Sequence, residues 1–205
     1  MSRLTKPILS VNSSQRCKQK KQQGVVLWFT GLSASGKTSI ANKLDKLLIQ
    51  NNNHTYILDG DIFRAGLSSD LSFDKNSRHE NLRRIRHVAE MFCDAGLITL
   101  VTFISPFELD RQKARTLLGD RYVEIYVSVS LETAAKRDPK GLYEKARKGE
   151  IKNFTGIDSP YEQPISPEII LDSENRTIEQ CALEVFDYLL LKKTIKKTTL
   201  SFQIN

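Results

Sequence analysis

An α/β fold, with a parallel sheet carrying helices on both faces, is predicted by three observations. Short apolar runs bounded by glycine, asparagine or proline alternate with longer segments of helical period. The first apolar run, Val25 to Phe29, leads into Gly31-Leu-Ser-Ala-Ser-Gly36-Lys37-Thr38, which fits G-x-x-x-x-G-K-[ST] between a strand and a helix. Acids and hydroxyls (Asp59, Asp61 and Ser105) follow the next apolar runs, at the carboxyl ends where parallel sheets bind ligands. The expected architecture is therefore a three-layer P-loop NTPase-type parallel sheet with a lid insertion.

Taken in order, residues 1–23 hold six bases (Arg3, Lys6, Arg16, Lys18, Lys20, Lys21) and no acid, and read as a flexible extension. The folded domain is expected over 24–191. Its first strand covers 25–30, and a helix follows from Lys37 to about Gln50, with Ile40, Leu44, Leu47 and Leu48 at helical spacing. Asn51-Asn-Asn53 breaks that helix, a strand runs from Thr55 to Leu58, and a loop passes through Arg64, Phe73 and Asp74. Ser77-Arg-His-Glu80 has the form of a capping box and predicts a helix from Arg78, burying Leu82, Ile85, Ala89 and Phe92 and stopping at Gly96. Leu97 to Ile104 is apolar enough for a central strand, ended by Ser105-Pro106. A helix over Glu108 to Leu118, a strand over Tyr122 to Val129 and a short helix over Leu131 to Asp138 come next. Residues 138–163 have no clear period and read as a lid. A strand from Glu168 to Leu171 and an amphipathic helix from Thr177 to Leu190 close the domain, before a basic tail over 192–205.

The phosphate loop carries the strongest chemical signal. Its glycines let successive backbone N–H groups face one anion, and the following helix adds its positive end. Gly31, Leu32, Ser33, Ala34, Ser35, Gly36, Lys37 and Thr38 are thus candidates to bind a nucleoside triphosphate, with Lys37 on the β- and γ-phosphates and the Thr38 hydroxyl on Mg²⁺. Asp59 and Asp61, one residue apart, suit a metal ligand and a base for an attacking hydroxyl. The metal is assigned to Thr38 and Asp59 and catalysis to Lys37, Asp61 and Ser105, although spacing alone leaves the two carboxylates interchangeable. Arg64, Arg78 and Asn81 could clamp a second anion, and Phe73 could stack on a base. The lid mixes Lys140, Lys145, Arg147, Lys148 and Lys152 with Leu142, Tyr143 and Phe154, which suits a flap over a charged, flat substrate.

Composition narrows the alternatives. The net charge of +7 resides in the two ends: removing their ten bases from the 31 Lys and Arg leaves 21 against 24 acids. Solvated tails therefore explain the charge better than a specific nucleic-acid site. Three cysteines, odd in number and without metal spacing, suit reduced thiols in the cytoplasm. The acid-free N-terminus also resembles an organelle transit peptide and leaves that address open. No apolar run approaches the ~20 residues that span a bilayer. Asn42-Lys-Leu-Asp45 matches a guanine-reading string, but it falls inside the helix that follows the phosphate loop, on the wrong element for a GTPase.

Together the motifs resemble the adenylyl-sulfate (APS) kinases. The signatures are G-L-S-A-S-G-K-T (31–38), L-D-G-D-I-F-R-A-G-L (58–67), R-H-E-N-L-R-R-I (78–85), F-I-S-P-F (103–107), R-D-P-K-G-L-Y-E-K-A-R (137–147) and F-T-G-I-D-S-P-Y-E (154–162). The resemblance implies transfer of the ATP γ-phosphoryl group to the 3′-hydroxyl of adenosine 5′-phosphosulfate (APS), giving 3′-phosphoadenylyl sulfate (PAPS) and ADP, in a cytoplasmic homodimer. It also implies that Asp61, Arg64, Phe73, Arg78, Asn81, Ile104, Ser105, Lys140, Leu142, Phe154 and Thr155 surround the nucleotide sulfate. Phe73 and Phe154 would sandwich its adenine, and Arg137 would lie near the ATP base. Ser105 matches a serine treated in the family as able to carry phosphate, although direct in-line transfer is the simpler expectation for a P-loop kinase. Ile62 stands where the family usually has Asn, and Ala34-Ser35 where Gly-Ala is commoner. The latter exchange is tolerable if neither position needs a positive φ. The rival readings are another small-molecule P-loop kinase and a nucleotide-binding regulator that uses its basic tails on nucleic acid.

Overall fold

A computed structural model describes residues 9–198. Five parallel strands form its sheet: β1 (Val25–Thr30), β2 (Thr55–Asp59), β3 (Ile98–Thr102), β4 (Tyr122–Ser128) and β5 (Ile169–Asp172), in the spatial order β2-β3-β1-β4-β5. The central strand β1 is buried throughout, because helices cover both faces. Its side chains alternate between two cores. Leu27 and Phe29 pack with Ile40, Leu44 and Leu48 of α2 (Lys37–Gln50) and with Val185 and Leu189 of α8 (Ile178–Leu191). Val26 and Trp28 pack with Leu82, Ile85 and Ala89 of α4 (Lys75–Asp94) and with Ala114 of α5 (Glu108–Leu118).

The register aligns the functional ends. Phe29 and Asp59 both pair with Thr102, so the strand ends that carry the phosphate loop, the acidic pair and the Ser105 turn share one edge of the sheet. This bears out the three-layer P-loop architecture.

Four local expectations are corrected. The stretch 9–23 is not a free extension, because α1 (Ser13–Lys20) is closed by a reciprocal Asn12–Gln15 capping box and leads into a docked segment. Gln22, only 4 % exposed, donates through Nε2 to His54 O (2.8 Å) and Gly96 O (2.9 Å), while its Oε1 accepts from His54 N (2.8 Å). The domain also runs past 191: Gln23 N donates to Thr194 O (3.0 Å), and Ile195 joins the core. Arg3, Lys6 and residues 199–205 lie outside the described residues.

Third, α4 starts at Lys75, three residues before the expected position, because Asp74 is its cap and accepts from Asn76 N (2.8 Å) and Ser77 N (3.0 Å). Glu80 does not close a capping box. Its carboxylate is taken by Arg83 (2.6 Å) and Arg84 (2.9 Å) instead. Fourth, two short helices occupy segments read as loop, α3 (Gly60–Ala65) and α7 (Leu142–Arg147), the latter inside the lid; α6 (Leu131–Arg137) falls as expected. Among the described residues no helix is long and apolar enough to cross a membrane.

Replacing Gln22 by Ala strands several buried backbone groups, which should lower stability by about 2–3 kcal/mol. Urea unfolding followed by circular dichroism measures this, and an unchanged midpoint would mean that residues 9–23 contribute nothing to the domain.

Candidate active site

The phosphate loop is shaped by two glycines. Gly31 has φ 150°, and a Cβ there would stand 2.6 Å from Val127 O, so only glycine lets the loop leave β1 against β4. Gly36 (φ 97°) caps α2 from the left-handed region and turns the helix N-terminus toward the cavity. Ala34 also has a positive φ, 58°. The condition under which the Ala34-Ser35 exchange would be harmless is therefore not met, and alanine holds a strained conformation at the loop's tip.

Lys37 is folded back along the loop. Its Nζ donates to Leu32 O (2.6 Å) and Gly31 O (3.0 Å), and burial lowers its pKa to about 8, partly offset by the charges of Asp59 and Asp61. Gly31 and Leu32 thus serve the site from behind, through their carbonyls. The other six loop residues, Ser33 to Thr38, line a cavity of about 1360 Å³.

Asp59, the last residue of β2, joins three elements. One carboxylate oxygen accepts from Thr38 of α2 and Thr102 of β3 (2.8 Å each), and the other from Asp61 N at the start of α3 (3.0 Å). Burial pushes its pKa up, but the bonds from Thr102, Thr38 and the Asp61 and Ile62 amides outweigh that and hold the carboxylate below its ordinary value. Thr102 was missed in the sequence because it reads as one more β-branched residue in an apolar strand. Asp61, in the first turn of α3, faces the same cavity and is paired with Lys140 of the lid. Both carboxylates therefore line the cavity that the phosphate loop also lines.

The same cavity brings together Arg64, Phe73, Arg78, Asn81, Ile104, Ser105, Leu142, Phe154 and Thr155. Arg64 lies over the Phe73 ring, 4.2 Å from its centroid, and donates to Ser72 O (2.9 Å). Phe73 is 58 % exposed, whereas Phe154 is buried against Tyr143 with ring centroids 4.9 Å apart. Arg78 is not a free anion clamp. It donates to Phe73 O (2.8 Å), Thr155 Oγ1 (2.6 Å) and Asn153 O, tying α4 to the lid. Burial, followed by the neighbouring Arg64 cation, lowers the Arg78 pKa below the ordinary guanidinium value. Asn81 is buried and presents an Oδ1 without a protein partner.

Ser105 has φ 40° and is 2 % exposed. Its hydroxyl accepts from the Trp28 indole (3.1 Å) and is directed inward, so a direct side-chain contact to a substrate is not what this arrangement offers. The lid has its own core, in which Tyr143, Ala146 and Phe154 pack on Leu32 and Ala34 of the phosphate loop. The Tyr143 hydroxyl donates to Ser33 O (3.0 Å), a contact with no sequence signature. Arg137 donates to Ser173 O (2.6 Å) beside the cavity's phosphate-loop end.

Among protein families, the adenylylsulphate kinase model matches residues 23–172. The adenylyl-sulfate kinase of Clostridium acetobutylicum is 52% identical over 185 residues, covering 90% of this chain and 92% of that one. The Saccharomyces cerevisiae adenylyl-sulfate kinase is 50% identical over 181 residues, 87% of this chain and 90% of that one. Among solved structures, the Mycobacterium tuberculosis APS kinase in complex with AMPPNP and APS superposes with a TM-score of 0.79 at 45% identity, covering 82% of this chain and 98% of that one.

Ala34→Gly should relieve the strained φ and stabilise the protein by about 1 kcal/mol, seen as a higher melting temperature. An unchanged or lower temperature would show that the loop's tip is not strained.

Proposed function

The chain belongs to the adenylylsulphate kinase family, and we infer that it transfers the γ-phosphoryl group of ATP to the 3′-hydroxyl of adenosine 5′-phosphosulfate, releasing 3′-phosphoadenylyl sulfate and ADP. The observation that carries this reading is a single cavity lined at once by the phosphate loop, by Asp61 and by Arg64, Phe73 and Asn81. Two nucleotides placed head to head across it present acceptor hydroxyl to γ-phosphate, as in-line transfer requires. The M. tuberculosis relative holds an ATP analogue and APS together.

In our reading the amides of 33–38 and the end of α2 hold the β- and γ-phosphates, and Lys37 swings from its two carbonyls onto the transferring group. The bond from O3′ to phosphorus forms as the bond to the β–γ bridging oxygen breaks. Asp61 takes the hydroxyl proton, and the electron pair leaves with ADP. Thr38 Oγ1 and the Asp59 carboxylate are hard oxygen donors that would hold a Mg²⁺. When bound, Mg²⁺ neutralises charge on the β- and γ-oxygens.

Arg64 and Lys140 supply positive charge beside the sulfonucleotide, with Phe73 and Phe154 at its adenine and Leu142, Ile104 and Thr155 completing the wall. Arg137 belongs to the ATP end. The inward Ser105 hydroxyl favours direct transfer over a phosphoserine route. A homodimer and a cytoplasmic setting belong to the same reading, and light scattering on the purified chain tests the first.

An ADP-release assay with ATP, Mg²⁺ and APS should show turnover that is absent with sugar acids or nucleoside monophosphates. Lys37→Ala should lose about a hundredfold or more in kcat, near 3 kcal/mol of transition-state stabilisation, and full activity would remove Lys37 from the chemistry. Ser105→Ala should retain turnover within about tenfold, whereas complete loss in a folded variant would favour the phosphoserine route.

A further inference from the structure

The largest fully buried charged side chain among the described residues, Arg111 on α5, has no part in the scheme above, although its surroundings lead directly to it. The guanidinium is fully enclosed. Nη1 donates to Ser105 O (2.7 Å), and Nη2 donates to Glu162 O (2.7 Å) and to the Glu108 carboxylate. Nε lies 2.9 Å from Glu124 Oε1 of β4. An ion pair that merely fastens α5 to the sheet would need only Glu124 of β4, since Glu108 lies on α5 itself. The two remaining acceptors are main-chain carbonyls, one in the Ser105 turn and one where the lid returns to the domain.

Further bonds join the same two segments. Glu162 N donates to Pro106 O (2.8 Å), and the Glu162 carboxylate accepts from Glu108 N (2.7 Å). Tyr161, its ring 5.9 Å from the guanidinium carbon, meets Thr30 Oγ1 at 3.0 Å, and the Thr30 hydroxyl donates to Ile104 O (2.7 Å). Thr30 is the last residue before the phosphate loop. Residues 104–108 and 161–162 therefore move together or not at all, and Arg111 is the charged centre of the joint. Charge-assisted bonds to buried carbonyls are among the strongest a fold can make. Here one of them holds Ser105 at a φ of 40° that a non-glycine residue disfavours.

We propose that Arg111 is a positioning residue for the acceptor nucleotide: it fixes the Ser105 turn, which floors the acceptor half of the cavity, to the C-terminal anchor of the lid that covers it. The assignment rests on the placement of APS against residues 104–105 and the lid. It goes beyond that placement by making one residue that touches neither substrate responsible for the fit of only one of them. The phosphate loop has contacts of its own through its glycines and Lys37 and meets the joint at Thr30 rather than at Arg111, so loss of the Arg111 fork should bear mainly on the acceptor side.

The test uses the full chain with Arg111→Lys, which keeps the charge but cannot donate to two carbonyls from a planar fork, and Tyr161→Phe, a milder change to the same joint. Steady-state KM for APS and for ATP, melting temperature, and hydrogen–deuterium exchange over 159–162 are measured on each. Arg111→Lys should raise the KM for APS about tenfold or more, leave the KM for ATP within about twofold and speed exchange at the lid anchor. Tyr161→Phe should shift the APS constant in the same direction by about threefold, and it decides the matter if Arg111→Lys does not fold. Equal rises in both constants, no change in either, or a rise for ATP alone in a folded variant would overturn the proposal. Failure of the functional reading would appear separately, as an unmutated chain that consumes no APS.

Discussion

The Asp59 carboxylate is the constraint on which the site depends. Parallel strands bring their ends to one edge, but a sheet edge alone only collects side chains there. Asp59 fixes them, because its two oxygens receive Thr38 from the helix after the phosphate loop, Thr102 from the neighbouring strand and the Asp61 amide from the next helix. Each donor lowers the cost of keeping the group ionised in a half-buried position, and together they outweigh the desolvation that burial imposes. The consequence is geometric: Asp61 inherits its place from Asp59, and a misplacement of the first carboxylate would carry the second with it.

The lid is the second organising feature, and it is less a loop than a small packed layer. Tyr143 and Phe154 meet edge to face over Leu32 and Ala34, Arg78 ties residues 153–155 to α4, and Glu162 is fastened at Pro106 and Glu108. The polar side chains that looked available for a ligand are partly consumed in this layer. Arg78 is the clearest example, since its donors are already engaged with protein oxygens. Arg64, Lys37 and Lys140 are among the other cations that line the cavity beside it.

The fold was legible wherever period and punctuation agreed. The helix over Lys37–Gln50 and the strand opening at Val25 stand where the glycine-bounded apolar run and the helical repeat put them. The phosphate loop and acidic pair were readable because their chemistry demands particular residues at particular spacings. What escaped were elements too short to show a period. The six-residue helices α3 and α7 contain fewer than two turns, and α1 buries no side chain that would mark a face. The helix at Lys75 was misplaced because two sets of capping residues overlap, and sequence cannot tell that Glu80 spends its carboxylate on Arg83 and Arg84 while Asp74 does the capping. Contacts such as Thr102 with Asp59 or Arg111 with Ser105 and Glu162 have no local signature, since their partners lie 43, 6 and 51 residues away and only the fold brings them together.

Trp28 is the single tryptophan of the chain, and it is buried within β1 with its indole N–H on the Ser105 hydroxyl. Near-ultraviolet excitation of this protein at the red edge of tyrosine absorption therefore interrogates one location, the underside of the Ser105 turn. Indole emission is sensitive to the polarity and hydrogen bonding around its ring nitrogen, so the protein carries a native optical reporter of that turn. No dye or label would have to be introduced to follow it.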